Sequence, residues 1–148
     1  PGAPAKVVVD GAERLYAELE AAGGAPYTAL GQAYYAALNL SLALATRQLL
    51  ERCGGEKGAS VFIEGGFAHN TRYCELLAAL CPDYTIALTS QAEGTAFGAA
   101  LTAWMLADGK DLKSMGGEFE IETTPVAAPD FGDLRGYWDA FQGYARKV

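Results

Sequence analysis

Val61-Phe62-Ile63-Glu64-Gly65-Gly66-Phe67-Ala68-His69-Asn70 is an apolar run that stops at two glycines and leads, a few residues on, into a helical pattern. Glycine takes positive φ without a Cβ penalty and lets a ligand come close to the backbone. A helix start adds unpaired N–H donors and the positive end of the helix dipole. Together these make an anion site, and phosphate is the usual anion. The segment is not a Walker A loop, since no Lys-Ser/Thr follows, and it lacks the GxGxxG fingerprint. Read alone, it favours a tight structural strand-to-helix turn slightly over a phosphate site. Asn70 stands where a helix N-cap belongs. His69 has no acidic partner in the motif and reads as an exposed loop residue rather than a general base.

Around this turn the chain alternates strands and helices. Ser60 to Glu64 reads as a buried strand, about Asn70 to Leu80 as a helix broken by Pro82-Asp83, Tyr84 to Leu88 as a second strand, and about Gln91 to Leu106 as a helix. That order implies parallel strands joined by crossovers, an α/β fold. Upstream, Pro26 opens a long helix that runs to about Arg52 and closes at Gly54-Gly55. Its apolar residues surround most of the circumference, so packing on more than one side is expected. Residues 26–106 therefore form the core βα units.

The ends are simpler. Lys6 to Val9 reads as a short strand. Gly11 to Ala22, with Leu15, Tyr16 and Leu19 at helical spacing, reads as a helix ended by Gly23-Gly24. Ala107 to Gly117 is a polar break, Glu118 to Thr123 an edge strand, and Thr124 to Pro129 a linker. The last helix, Phe131 to Lys147, places Phe131, Leu134, Trp138, Phe141 and Ala145 on one face, so 124–148 comprises linker and C-terminal helix. The aromatic stripe reads as packing against the domain body, with a homodimer contact as the alternative.

Composition excludes several functions. The net charge is −7 and the eleven Lys and Arg form no basic stripe, which argues against a nucleic-acid surface. A nucleotide is not excluded, because backbone N–H groups bind anions without side-chain charge. Cys53, Cys74 and Cys81 form no CxxC pair and there is one histidine, so a zinc site is not expected. Free thiols fit a reducing cytoplasm, and all three read as small buried hydrophobes. The start Pro1-Gly2-Ala3-Pro4-Ala5 has no signal-peptide pattern. The charge-free stretch from Pro26 to Thr46 contains Thr28, Gly31, Gln32, Asn39 and Ser41, and reads as a buried helix of a soluble core rather than a membrane span.

A second motif follows the second strand: Ser90-Gln-Ala-Glu-Gly-Thr-Ala-Phe-Gly-Ala-Ala-Leu101. Gly94, Ala96, Gly98, Ala99 and Ala100 would let this helix pack very close to a neighbour. Ser90 and Glu93 match the S-x-x-E capping box. Glu93 is also a catalytic candidate by type, and Thr95 faces either a ligand or the neighbouring strand.

The two motifs, in this order and spacing, resemble the carboxy-terminal domain of the FGGY family of carbohydrate kinases, in the actin-like ATPase superfamily. The family's glycine turn followed by Asn corresponds to Gly65-Gly66-Phe67-Ala68-His69-Asn70. Its E-A-T-A-L-G-A-A helix start corresponds to Glu93-Gly94-Thr95-Ala96-Phe97-Gly98-Ala99-Ala100. Its long helix is similar at Leu40-Ser41-Leu42-Ala43 through Arg47, Leu49, Leu50 and Glu51. Within the family the segment looks most similar to kinases of deoxy-ketoses such as rhamnulose and fuculose.

The resemblance implies a ribonuclease H-like fold, with residues 1–148 forming the C-terminal nucleotide-binding domain of a two-domain sugar kinase. It implies ATP with Mg²⁺ as cofactors and a sugar substrate bound together with another lobe. By the same resemblance, Gly65 and Gly66 present N–H groups to the phosphates, Asn70 lies near the adenine, and Phe67, Glu93 and Thr95 belong to the same cleft. Three positions depart from the family pattern. Phe67 replaces its third glycine, Leu40 its helix glutamate, and Gly94 its usual alanine. The family's G-D-x-x-A segment, which carries the catalytic aspartate, and its early antiparallel strands are not evident here. ATP binding without catalysis by this chain alone is therefore the expectation. A non-catalytic actin-like regulatory or assembly domain is the alternative.

Overall fold

The computed structural model describes residues 6–9, 12–15, 17, 29–90, 94–115 and 121–145. Two compact units emerge, Pro1–Leu42 and Ala43–Val148.

The first unit begins with strands β1 (Lys6–Val9) and β2 (Ala12–Leu15), paired antiparallel with Val9 opposite Ala12 and Lys6 opposite Leu15. This corrects the helix expected from Gly11 to Ala22 over Ala12–Leu15; Ala17 is helical, and residues 11, 16 and 18–22 lie outside the described residues. The competing signal was Asp10-Gly11, a dipeptide favoured in two-residue hairpin connections, after a β-branched run. It also supplies early antiparallel pairing that the sequence did not make evident. Lys6 Nζ meets Glu13 Oε2 at 3.0 Å across the hairpin, an exposed pair of small energetic value. The unit also holds the first part of helix α1 (Ala29–Arg52). There Asn39 is buried and its Nδ2 donates to the Tyr35 carbonyl at 2.8 Å. Gln32, Ala33, Tyr35, Ala36 and Leu38 are exposed, so among the described residues the expected packing on more than one side is not seen along this stretch.

The second unit opens with the rest of α1. Gly54, at φ 68°, ends the helix in a Schellman cap. Gly55 N–H donates to Leu50 O and Gly54 N–H to Glu51 O, both at 3.3 Å. The chain then forms β3 (Ser60–Ile63), a short 3₁₀ turn (Gly65–His69), α2 (Thr71–Leu80), β4 (Thr85–Thr89), α3 (Gly94–Asp108), a one-turn α4 (Leu112–Met115), β5 (Thr123–Pro125) and α5 (Leu134–Ala145). Strands β3 and β4 are parallel, with Val61 opposite Ile86 and Ile63 opposite Leu88, and α2 is their crossover, as the alternating pattern required. β5 lies antiparallel on β4, so the sheet is mixed, in the order β3-β4-β5. It takes in Thr124 and Pro125, which the sequence assigned to a linker. A proline at the end of an edge strand costs no ladder bond, which is why it does not stop the strand. α4 sits within the expected polar break, started by Asp111, whose Oδ1 accepts from Ser114 N–H at 2.8 Å.

The core lies around α2. Tyr73, Cys74, Leu76, Leu77, Ala78 and Leu80 are buried, with Leu77 almost fully inaccessible. One side of α2 packs on β4 and another on α5. The α5 stripe behaves as its spacing predicts: Trp138 is buried and Phe131, Leu134, Phe141 and Ala145 are half-buried. Trp138 stacks on Phe141 with centroids 6.0 Å apart, and the Arg47 guanidinium covers the Trp138 ring at 4.2 Å.

Three expectations are corrected. β3 is not fully buried, because Val61 and Ile63 turn inward while Phe62 is 54% exposed on the open face of an edge strand. α3 is described from Gly94, the expected start at Gln91 lying outside the described residues, and it has no buried residue, so its small-residue surface is not closely packed among the described residues. Cys53 is exposed, whereas Cys74 and Cys81 are buried as expected.

Candidate functional site

Parallel strands bring the carboxyl ends of β3 and β4 to the same edge, where open α/β sheets offer a crevice. Glu64 continues β3 in extended conformation at φ −130° and ψ 170°. Gly65 then turns the chain with φ 64°, a region that side-chain-bearing residues avoid. Gly66 has an ordinary φ, and a Cβ placed there or at Gly65 would meet nothing within 4 Å. Both glycines are exposed. Among the described residues, no hydrogen bond engages the Gly65 or Gly66 N–H, as befits the first residues of a helical turn. The backbone is thus open to an approaching ligand at both positions.

The far side of the turn is tightly anchored. The Phe67 carbonyl accepts the Asn70 N–H at 3.0 Å and the Cys74 thiol at 3.3 Å. Burial raises the Cys74 thiol pKa above its ordinary value, so this donor keeps its proton. Asn70 caps α2 as its position predicts, its Oδ1 accepting from Tyr73 N–H at 3.2 Å. The Phe67 ring packs on Tyr73 with centroids 4.8 Å apart, and the Tyr73 hydroxyl in turn bonds Thr46 Oγ1 at 3.0 Å. Phe67 is therefore held toward α2 while remaining half-exposed. His69 is exposed, at the end of the 3₁₀ turn.

The second motif is partly placed. Glu93 lies outside the described residues, so the capping box is not seen. Thr95 is exposed in the first turn of α3. Ser90 N–H donates to Glu122 O at 2.9 Å, just beyond the β4–β5 pairing. Sequence reading overlooked a link between the two motifs: Glu64 Oε1 accepts the Thr89 hydroxyl at 3.1 Å, and Glu64 Oε2 lies against Gly94. An acidic residue directly at a strand end, next to a glycine pair, was the available signal. At Gly94, the departure from the resembled pattern, an alanine methyl would displace the end of the exposed Glu64 side chain.

Among the described residues, no group of three His, Cys, Asp or Glu side chains is arranged to hold a metal ion. No helix among them is long and apolar enough to cross a membrane. No curated protein and no solved structure matches the chain. The family model described as carbohydrate kinase FGGY, C-terminal domain, matches residues 15–113, a span that includes the glycine turn, α2, β4 and α3.

Proposed function

The chain belongs to the carbohydrate kinase FGGY C-terminal domain family, and from that membership we propose that it is the nucleotide-binding part of a sugar kinase. The reaction is transfer of the γ-phosphoryl group of ATP to a hydroxyl of a ketose-like sugar. The observation that carries this reading is the Gly65-Gly66 turn: two exposed glycines at the end of a parallel strand, with no atom of the other described residues beyond their chain neighbours within 4 Å of either Cβ position. That opening fits a polyphosphate approaching the backbone. Gly65 and Gly66 would hold it through N–H groups. Phe67, Asn70, Glu93 and Thr95 are assigned to the same cleft, Asn70 toward the adenine. ATP supplies the phosphoryl group and Mg²⁺ neutralises charge between its phosphates.

A general base must reach the sugar hydroxyl. This chain shows no G-D-x-x-A segment, so the base and most sugar contacts are assigned to a partner lobe, and the protein to the cytoplasm. No nucleic acid or membrane enters the scheme.

The test is to incubate the chain together with the partner lobe that carries the base, with ATP, Mg²⁺ and a panel of ketoses that includes rhamnulose and fuculose. Equimolar ADP and sugar phosphate are expected with at least one ketose. ATP binding without phosphorylation of any sugar would replace the kinase reading with a regulatory or assembly role for an actin-like domain.

A further inference from the structure

The carboxyl ends of β3 and β4 and the first turn of α3 meet at one side chain, Glu64. The last backbone pair of the two strands is Ile63 with Leu88. Glu64 and Thr89 occupy the next position in that register, and there a side-chain bond replaces the ladder: Thr89 Oγ1 donates to Glu64 Oε1 at 3.1 Å. The other carboxylate oxygen is seated against Gly94, in the space a Cβ would fill. Gly94 is not among the glycines with positive φ, so its backbone does not demand glycine. Glycine also weakens a helix relative to alanine. Glycine here leaves room for the Glu64 carboxylate, the far end of an exposed side chain.

We propose that Glu64 is a positioning residue for nucleotide binding: its carboxylate, held by Thr89 and accommodated by Gly94, fixes the Gly65-Gly66 backbone relative to the start of α3. Glu64 hands the chain directly to Gly65, so a freed Glu64 would let the open glycine N–H groups change direction. Preorganisation of that kind acts on affinity without any contact between Glu64 and the ligand. The proposal rests on the reading of the turn as a phosphate site.

The experiment is a double-mutant cycle on the intact protein, read by ATP·Mg²⁺ titration and by thermal melting. Glu64→Ala is expected to weaken ATP about tenfold, and Glu64→Gln, which keeps an acceptor for Thr89, less than about threefold, as for other contacting groups. Gly94→Ala is expected to weaken ATP in the wild-type background and to change nothing further beside Glu64→Ala. Wild-type affinity in Glu64→Ala, or an equal Gly94→Ala effect in both backgrounds, would overturn the proposal. A wild-type protein that binds no ATP refutes the reading of the turn instead. The melting cycle then still decides the contact, with additive Tm changes counting against it.

Discussion

Three cysteines in one chain have different surroundings, and each behaves as its surroundings dictate. Cys53 is exposed just beyond the end of α1, Cys74 donates to the carbonyl of Phe67, and Cys81 is buried after α2. Burial pushes the Cys81 thiol up to about 11, opposed by nearby Arg47 and reinforced by Glu51. The folded state therefore holds this proton more tightly than the unfolded chain. Its contribution is complete below the ordinary thiol pKa of 9.0 and is lost as pH rises through about 11. Thermal melts between pH 8.5 and 11 should show a fall in Tm that is shallower in Cys81→Ala; equal slopes would count against the burial. Maleimide labelling should modify only Cys53 in the native protein and all three after denaturation. Native modification of Cys74 would show that the Phe67 anchor opens. At the turn, the two glycines differ. Gly65 needs positive φ, so Gly65→Ala is expected to destabilise by about 1 kcal/mol or more. Gly66 has ordinary φ and open space, so its replacement acts on the ligand rather than on the fold.

Elements with one-sided patterns were legible in the sequence, and those without were not. In α5 the apolar residues recur at helical spacing on a single face, and that face is the one that packs. Trp138→Ala removes a buried indole together with its Arg47 and Phe141 contacts, and is expected to cost about 3–5 kcal/mol in denaturant unfolding. A loss under 1 kcal/mol would mean that α5 is not docked through this residue. α2, its Asn70 cap and the parallel β3–β4 pair were equally readable, because cap chemistry and strand–helix alternation are local signals. β2 was misread since the expected helix was extended back over Ala12–Leu15 from the spacing of Leu15, Tyr16 and Leu19, while the Asp10-Gly11 hairpin signal spans only two residues. α3 is apolar on all sides, and a pattern without a polar face cannot say which face is covered. The Glu64–Thr89 bond was hidden for another reason: its partners lie far apart in sequence and meet only once the strand register is set.

On the scale of the whole molecule, the family match from residue 15 to 113 begins in the first unit and ends in the second, while the glycine turn and the start of α3 both lie in the second. In a chain of net charge −7, the proposed polyphosphate would be held through backbone donors and preorganised geometry rather than through a basic surface. Ligand binding to the native state alone raises stability, by about 2.7 kcal/mol at a hundredfold excess over Kd. ATP·Mg²⁺ should accordingly raise the Tm of the intact protein, and sugar without nucleotide should do so less. The most direct measurement is isothermal titration of ATP·Mg²⁺ into the wild-type protein and into Gly66→Val, with melts of both taken alongside. The expected result is saturable binding by the wild type and binding weakened about tenfold or more in Gly66→Val at unchanged Tm, the cost of crowding a backbone approach. Equal affinity in the two proteins would contradict a phosphate site at Gly65-Gly66 and leave the turn a purely structural one.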